Sequence, residues 1–351
     1  MKYIELHIIQ SLPPSCINRD DLNQPKTAVY GAVERIRVSG QSWKRAVKEY
    51  FSETLPHLAQ GIRTRHLQAL MEPEITKAGL NPALATVVAN ILSTVEKERV
   101  TTVVYLSPGE ISAIVTELST LGLPTTGDIK ETKLAEKAVL KAIKTYQLAD
   151  AADIALFGRM FANHPTANVD GCSYFNHAIS THAASSESDF FTAMDEFNKQ
   201  DSGAGMMGTI EFSAGVIYRY VCLNVQELRD NFPSVTKEAI QKFLEAAILA
   251  IPQAKRTTLN GQTTPTYVLA LASEKGQNQQ LCEAFESPIK SDSGYLEPSI
   301  EALVQTYQAK AAAGFIAPVF VGAINTSKLK PVIPQYTLEE LTKTIADKCV
   351  P

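Results

Sequence analysis

The sequence predicts an α+β protein built as strand, helix, strand, strand, helix, strand, the split βαβ or ferredoxin-like plan, with a helical insertion after the first helix. Three observations carry this reading. The N-terminus alternates apolar and polar residues. Helical periodicity recurs at 42–51 and 235–250 between extended segments, and residues 56–150 are helical in pattern throughout.

In chain order, Ile4, Leu6 and Ile8 alternate with Tyr3, Glu5 and His7, which predicts a half-buried strand over 2–9. Ser11 to Pro25 is rich in Pro, Ser, Asn and Asp and reads as a long loop. From Ser42 to Phe51, Trp43, Ala46, Val47 and Tyr50 share one helical face, leaving Lys44, Arg45 and Lys48 off it. The insertion divides into helices over about 59–71, 82–99, 108–120 and 129–148, punctuated by Gly79, Asn81-Pro82, Ser107-Pro108 and Gly122 to Gly127. Asp153 to Met160 reads as the second strand and Asn163 to Ser188 as a polar, loop-rich tract. Gly203 to Gly208 reads as a flexible hairpin tip, and Ile210 to Val225 as a long strand. Ser234 caps a helix over 235–250, Thr266 to Ala272 is a strand, Phe315 to Ile324 a last apolar run, and Thr337 to Lys348 a terminal helix.

Composition narrows the function classes. With 351 residues the chain exceeds a single core, and 45% hydrophobic with 20% charged residues is an ordinary globular balance. No apolar run reaches the roughly 20 residues that span a bilayer, and Met1 to Glu5 lacks the apolar stretch of a signal peptide. Five scattered cysteines, none in a CxxC pair, point away from zinc sites and disulfides and toward a reducing cytoplasm. No metal or cofactor is expected.

The net charge of −4 hides an asymmetry. Between Arg19 and Lys48, seven basic residues stand against three acidic ones, a local +4 that attracts polyanions. Arg35, Arg37 and Ser39 alternate along one side of an extended segment, and Gln41 or Ser42 follows as a cap for the helix carrying Lys44, Arg45 and Lys48. Such a helix start offers free N–H groups to phosphate. The helix over 129–148 carries a second stripe, Lys130, Lys133, Lys137, Lys141 and Lys144, although stripes of this kind are commonly plain solvated faces. Tyr218 and Tyr220 share a strand face, so they stack bases or, the stronger reading, pack in the core, with Arg219 opposite. His164, His177 and His182 form no HExxH pattern, and neither GxSxG nor a P-loop is present; structural histidines are the plainer reading.

The N-terminal pattern Pro14-Ser15-Cys16-x-Asn18-Arg19-Asp20-Asp21, Lys26, Gly31, Arg35-x-Arg37-x-Ser39-x-Gln41-Ser42-x-Lys44-Arg45-Ala46 closely resembles the type I-E CRISPR Cascade backbone subunit, the CasC-like branch of the RAMP superfamily. Further matching blocks are Asp153 to Met160, His177 to His182, Gly208 to Gly215, Tyr218 to Tyr220 and Pro252-x-Ala254-Lys255-Arg256-Thr257, so the resemblance spans nearly the whole chain. It implies an RRM-like palm (1–55, 151–184 and 216–351), a helical fingers insertion (56–150) and a hairpin thumb (185–215). It further implies copies stacked head to tail on a guide RNA, in an antiviral ribonucleoprotein with large, small and guide-end-binding subunits that pairs with target DNA. The RNA-binding role would fall on Arg19, Lys26, Arg35, Arg37, Ser39, Gln41, Ser42, Lys44, Arg45, Lys48, Arg159, Met160 and Thr209, with Met160 at a displaced base. The lysine stripe would serve duplex DNA. Met206-Met207 departs in residue type from the family's thumb, so only its position carries over.

Related type III backbone subunits cleave target RNA with an acidic residue in the loop after the first strand. Asp20 and Asp21 occupy such a loop, which keeps a metal-dependent nuclease as the alternative. The N-terminal block matches the non-cleaving branch, so no catalysis is expected. An RNA-processing enzyme would need a histidine near the basic block, and a generic RRM regulator would need the aromatic RNP pattern; neither is found.

Overall fold

The structure is a computed structural model and describes residues 1–58, 61–93, 95–96, 99–100, 102–123, 132–146, 148, 150–194 and 204–350. Its centre is a mostly antiparallel sheet running Phe320–Asn325, Tyr267–Ser273, Tyr3–Ser15, Ala204–Asn224, Ala178–Ser180, Val33–Val38 and Thr27–Tyr30. Ser173–Phe175 and Glu187–Met194 also pair with the long strand. Leu6 lies opposite Val221 on one side and Ala270 on the other, which fixes the register of the three central strands.

The first strand is covered on both faces, where alternation predicts cover on only one. Ile4, Leu6 and Ile8 join Val47, Phe51, Ile240 and Phe243 in one core. On the other face Glu5 and His7 are buried too, beneath the layer holding Tyr218, Tyr220, Phe285 and Leu303. Their polarity is answered locally. Tyr220 donates its hydroxyl to Glu5 at 2.7 Å, the Gln279 N–H donates to the same carboxylate at 2.6 Å, and the Tyr218 hydroxyl lies 3.0 Å from His7 Nδ1. Burial raises the Glu5 carboxyl and pushes the His7 imidazole down to about 3. Tyr218 and Tyr220 therefore pack rather than offer a stacking platform. Arg219, on the opposite face, donates to the Ala247 and Ile248 carbonyls at the end of the Lys237–Leu249 helix.

Several boundaries differ from the sequence expectation. The first strand runs to Ser15, so the expected loop begins at Cys16. Asp153 to Met160 is not a strand: Ala152–Phe157 is a short helix whose six residues are all buried, ended by Gly158 at φ +79. A run buried on every side has no exposed face to reveal its period. The second-strand position is taken by Ser173–Phe175 and Ala178–Ser180, inside the tract expected to be loop. The helix after it starts at Lys237 because the Thr236 hydroxyl, not Ser234, accepts the Ala239 N–H. The helix Leu296–Ala312 has no counterpart in the sequence expectation.

The insertion has its own core, with Leu67, Met71, Leu84, Val88, Ile114, Leu118 and Val139 among its members. Its helices are Leu67–Lys77, Ala83–Leu92, Pro108–Ser119 and Thr132–Tyr146. The first two are shorter than expected, since Ile62–Thr64 pairs with Val104–Leu106 and short strands follow Leu92. Beyond the sheet, Glu187–Met194 and the start of the long strand form a two-stranded ribbon in which Phe191 faces Gly208 and Phe190 faces Thr209. Residues 204–208 are thus strand, with a register shift at Gly205; Gly203, and the turn itself, lie outside the described residues. No helix among the described residues is long and apolar enough to cross a membrane.

Candidate nucleic-acid interface

The basic helix spans Gly40–Thr54, and its cap is Ser39 rather than Gln41 or Ser42. The Ser39 hydroxyl accepts the Gln41 N–H at 3.3 Å, Asn18 Oδ1 accepts the Ser39 N–H at 2.9 Å, and His177 Nδ1 accepts the Gly40 N–H at 3.2 Å. Gly40 is required there: a Cβ would sit 2.6 Å from the Phe175 carbonyl oxygen. Trp43, Ala46, Val47 and Phe51 bury one face, which turns Lys44, Arg45 and Lys48 outward together.

These cations open onto a groove of about 680 Å³ lined by Gln41, Lys44, Arg45, Lys48, Arg63, Tyr105, Gly158, Met160 and their neighbours. Lys48 Nζ stands 4.1 Å from the centre of the Tyr105 ring, and the Tyr105 hydroxyl donates to Asp153. Partial burial lowers the pKa of both Lys44 and Lys48, so an arriving phosphate would repay a desolvation already incurred. Arg45 is exposed and pairs with Glu49 at 2.7 Å. Met160, 72% exposed, forms an apolar lip. The fold therefore joins the N-terminal block to the Gly158-Arg159-Met160 block. Arg63 and Tyr105 escape sequence reasoning, for they enter only through the short Ile62–Thr64 ladder, which carries no sequence signal of its own.

Two expected phosphate ligands are withdrawn. Arg35 is fully buried, donating to the carbonyls of Tyr30, Ser180 and Phe285 at 3.1, 3.0 and 2.8 Å. Arg159 Nη1 lies 2.6 Å from Glu110 Oε1, with side chains 2% and 0% exposed. Glu110 also closes the capping box on Ser107. Arg35 thus spends Nε, Nη1 and Nη2 on carbonyls inside the protein, and Arg159 spends Nε and Nη1 on the Ala167 carbonyl and Glu110.

Lys26 and Arg37 line a second groove of about 620 Å³ with Asp20, Gln24, Glu34 and Glu211. The Arg37 guanidinium donates to the Thr27 carbonyl at 3.2 Å, and Arg19 to Asn23 Oδ1 at 2.5 Å. Ser42 is half-buried near the helix start. Thr209 lies exposed on the same ribbon face as Phe190 and Met207, which are 62% and 68% exposed. Met206 is paired in the ribbon.

In the Thr132–Tyr146 helix, Ala135, Ala138, Val139, Ala142 and Ile143 are buried, while Lys133, Lys137, Lys141 and Lys144 are exposed. Lys141 pairs with Glu117 at 2.9 Å, and Lys130 lies outside the described residues. Asp20 Oδ1 accepts the N–H groups of Leu22 and Gln24, both at 2.9 Å, so this carboxylate organises its loop. No group of three or more potential ligands placed to hold a metal occurs among the described residues. The histidines are engaged structurally: His164 with the Ile91 carbonyl, and His182 with the Val216 N–H and stacked on Tyr295.

The groove is thus lined with lysine, arginine and an apolar lip. The chain belongs to the family of CT1975-like proteins, which matches residues 4–343. It is similar at 27% identity and a TM-score of 0.81 to a chain of a "CRISPR RNA-guided surveillance complex, pre-nicking", covering 99% of this chain and 100% of that one. A chain of a second "CRISPR RNA-guided surveillance complex" shares the fold at a TM-score of 0.67 and 24% identity, with 99% of each chain covered. No curated protein matches it in sequence. The kinship with CRISPR surveillance subunits read from the motif blocks is thereby borne out.

Proposed function

We propose that this chain is a backbone subunit of a type I-E Cascade complex, stacking in several copies along a guide RNA and displaying its bases for pairing with target DNA. The observation that carries the proposal is the groove where Gln41, Lys44, Arg45 and Lys48 face Arg63 and the exposed Met160. A subunit that must hold any guide grips phosphates and leaves base edges free, and this lining is cationic with one apolar wedge. In this reading the central sheet with the Gly40–Thr54 and Lys237–Leu249 helices packed on it is an RRM-like palm, the 56–150 insertion the fingers and the 185–215 ribbon the thumb. The strand order, with the first strand between Tyr267–Ser273 and the long strand, supports it.

Lys44, Arg45, Lys48 and Gln41 are the principal RNA contacts, aided by Ser39 and Ser42 at the helix start, Lys26 and Arg37 in the second groove, Arg19 in the loop beside it, and Thr209 on the thumb. Arg35 and Arg159 hold the frame. Lys133, Lys137, Lys141 and Lys144 steer duplex DNA, with Lys130 extending the stripe. The chain acts in the cytoplasm beside large, small and guide-end subunits and does not itself cut nucleic acid; the engagement of Asp20 by its own loop supports that last point. The test is guide-RNA loading of a complex carrying Lys44→Ala and Lys48→Ala, which should lose guide while the protein melts as wild type. Undiminished loading would refute the groove's role.

A further inference from the structure

The block Pro252 to Thr257 has no part in the function proposed above, yet the turn that contains it is pinned at both ends. Ile251 is buried with Leu12, Ile17 and Trp43. Gly261 lies so near Ser15 and Ile17 that any Cβ would collide with them. Thr263 donates its hydroxyl to the Ser11 carbonyl at 2.8 Å, and Gln10 Nε2 donates to the Thr263 carbonyl at 2.9 Å. Both ends of the turn are thus pinned to the end of the first strand and the segment after it.

Between those pins Lys255 adopts φ +49, a left-handed backbone that an ordinary side chain rarely takes. The N–H groups of Thr258 and Leu259 both donate to its carbonyl, at 3.1 and 2.8 Å. The Lys255 ammonium donates to the Asn23 carbonyl at 3.2 Å, and Arg19 holds the Asn23 side chain. Arg256 is exposed and makes no ion pair or side-chain hydrogen bond among the described residues. The backbone N–H groups of residues 253 to 257 likewise find no acceptor there. Successive free N–H groups about a left-handed residue are the makings of an anion-binding nest. Backbone strain held in place by the surrounding packing clusters at ligand clamps and active sites.

We propose that this turn is a second phosphodiester-binding station for the guide RNA, with Arg256, Lys255 and the free N–H groups of 254–257 as its donors. It lies across the 18–26 loop from the basic helix. Asn23 touches Lys255 and Arg19 on one side of that loop, and Asn18 holds the Ser39 N–H on the other. Two carboxylates lie nearby, Asp20 accepting from its own loop and Glu211 from Gln24 at 2.7 Å, and Lys255 and Arg19 stand beside them as counter-charges. This rests on the RNA-binding reading proposed above.

The test uses the full chain with a single-stranded RNA of guide length, titrated over a salt series, in Arg256→Ala and Lys255→Gly. Glycine suits the left-handed backbone, so Lys255→Gly removes the charge without straining the turn. Both variants should melt as wild type and bind RNA several-fold more weakly. The slope of log affinity against log salt should flatten by roughly 0.7 for each phosphate that is no longer neutralised. Lys44→Ala runs alongside. If Lys44→Ala weakens binding and the turn variants do not, the station is refuted and the groove stands; if none weakens binding, the RNA-binding reading itself fails. Weakened duplex-DNA binding by the assembled complex with RNA binding unchanged would overturn the assignment to the guide.

Discussion

Arg159 and Glu110 form a solvent-excluded ion pair, 2.6 Å apart, that fastens the helical insertion to the segment presenting Met160. Glu110 belongs to the first turn of the Pro108–Ser119 helix, and Arg159 follows the short Ala152–Phe157 helix. Removing the arginine would strand a buried carboxylate whose pKa is already raised by desolvation. Arg159→Ala should therefore cost about 3–5 kcal/mol in urea unfolding. Wild-type stability with weakened RNA binding would instead return Arg159 to the phosphate ligands.

His7 carries a pH signature. Burial pushes its imidazole down to about 3 in the folded chain, against an ordinary value near 6.5 when unfolded, so the unfolded state binds the extra proton between those values. Its contribution is present above about 6.5 and is lost as pH falls toward 3. The stability difference between wild type and His7→Gln, measured by denaturant unfolding, should shift against the wild type over that window. A difference independent of pH would mean that the ring is not held neutral.

The exposed lysines of Thr132–Tyr146 should affect only target binding. Lys133→Ala, Lys137→Ala and Lys144→Ala together should leave guide loading intact and weaken duplex DNA binding equally across sequences. The salt slope should flatten by roughly 0.9 for each phosphate left without its lysine. Unchanged duplex affinity would make the stripe a solvated face, and failed guide loading would assign it to RNA.

Asp20→Ala should loosen the 18–26 loop, costing about 1 kcal/mol for the missing N–H acceptor, while Asp21→Ala should be near neutral. Neither should change the fate of a bound target RNA in Mg²⁺, because the wild type should leave it uncut. Regularly spaced, metal-dependent cuts abolished by either substitution would favour the nuclease alternative.

The sequence made the basic helix legible because Trp43, Ala46 and Val47 recur at helical spacing and leave the cations on the other side. It misjudged 153–160, where every residue of the short helix is buried and no face remains to set a period. The second-strand position was hidden because its two pieces are three residues each and lie in a polar tract. Arg35 and Arg159 show why charge alone misplaces site residues. What withdraws them is burial against partners such as Ser180, Phe285 and Glu110, all distant in sequence. Arg63 and Tyr105 entered the groove by the same long-range route, in the opposite direction.

The proposed grip of the open face of Gly40–Thr54 on guide RNA is tested most directly by loading of the paired charge reversal Lys44→Glu with Arg45→Glu. Neither side chain belongs to the buried face of that helix, so thermal melting should match wild type. Guide RNA should no longer co-purify, and no ordered assembly should form on added guide. Native melting together with full guide occupancy would contradict the account.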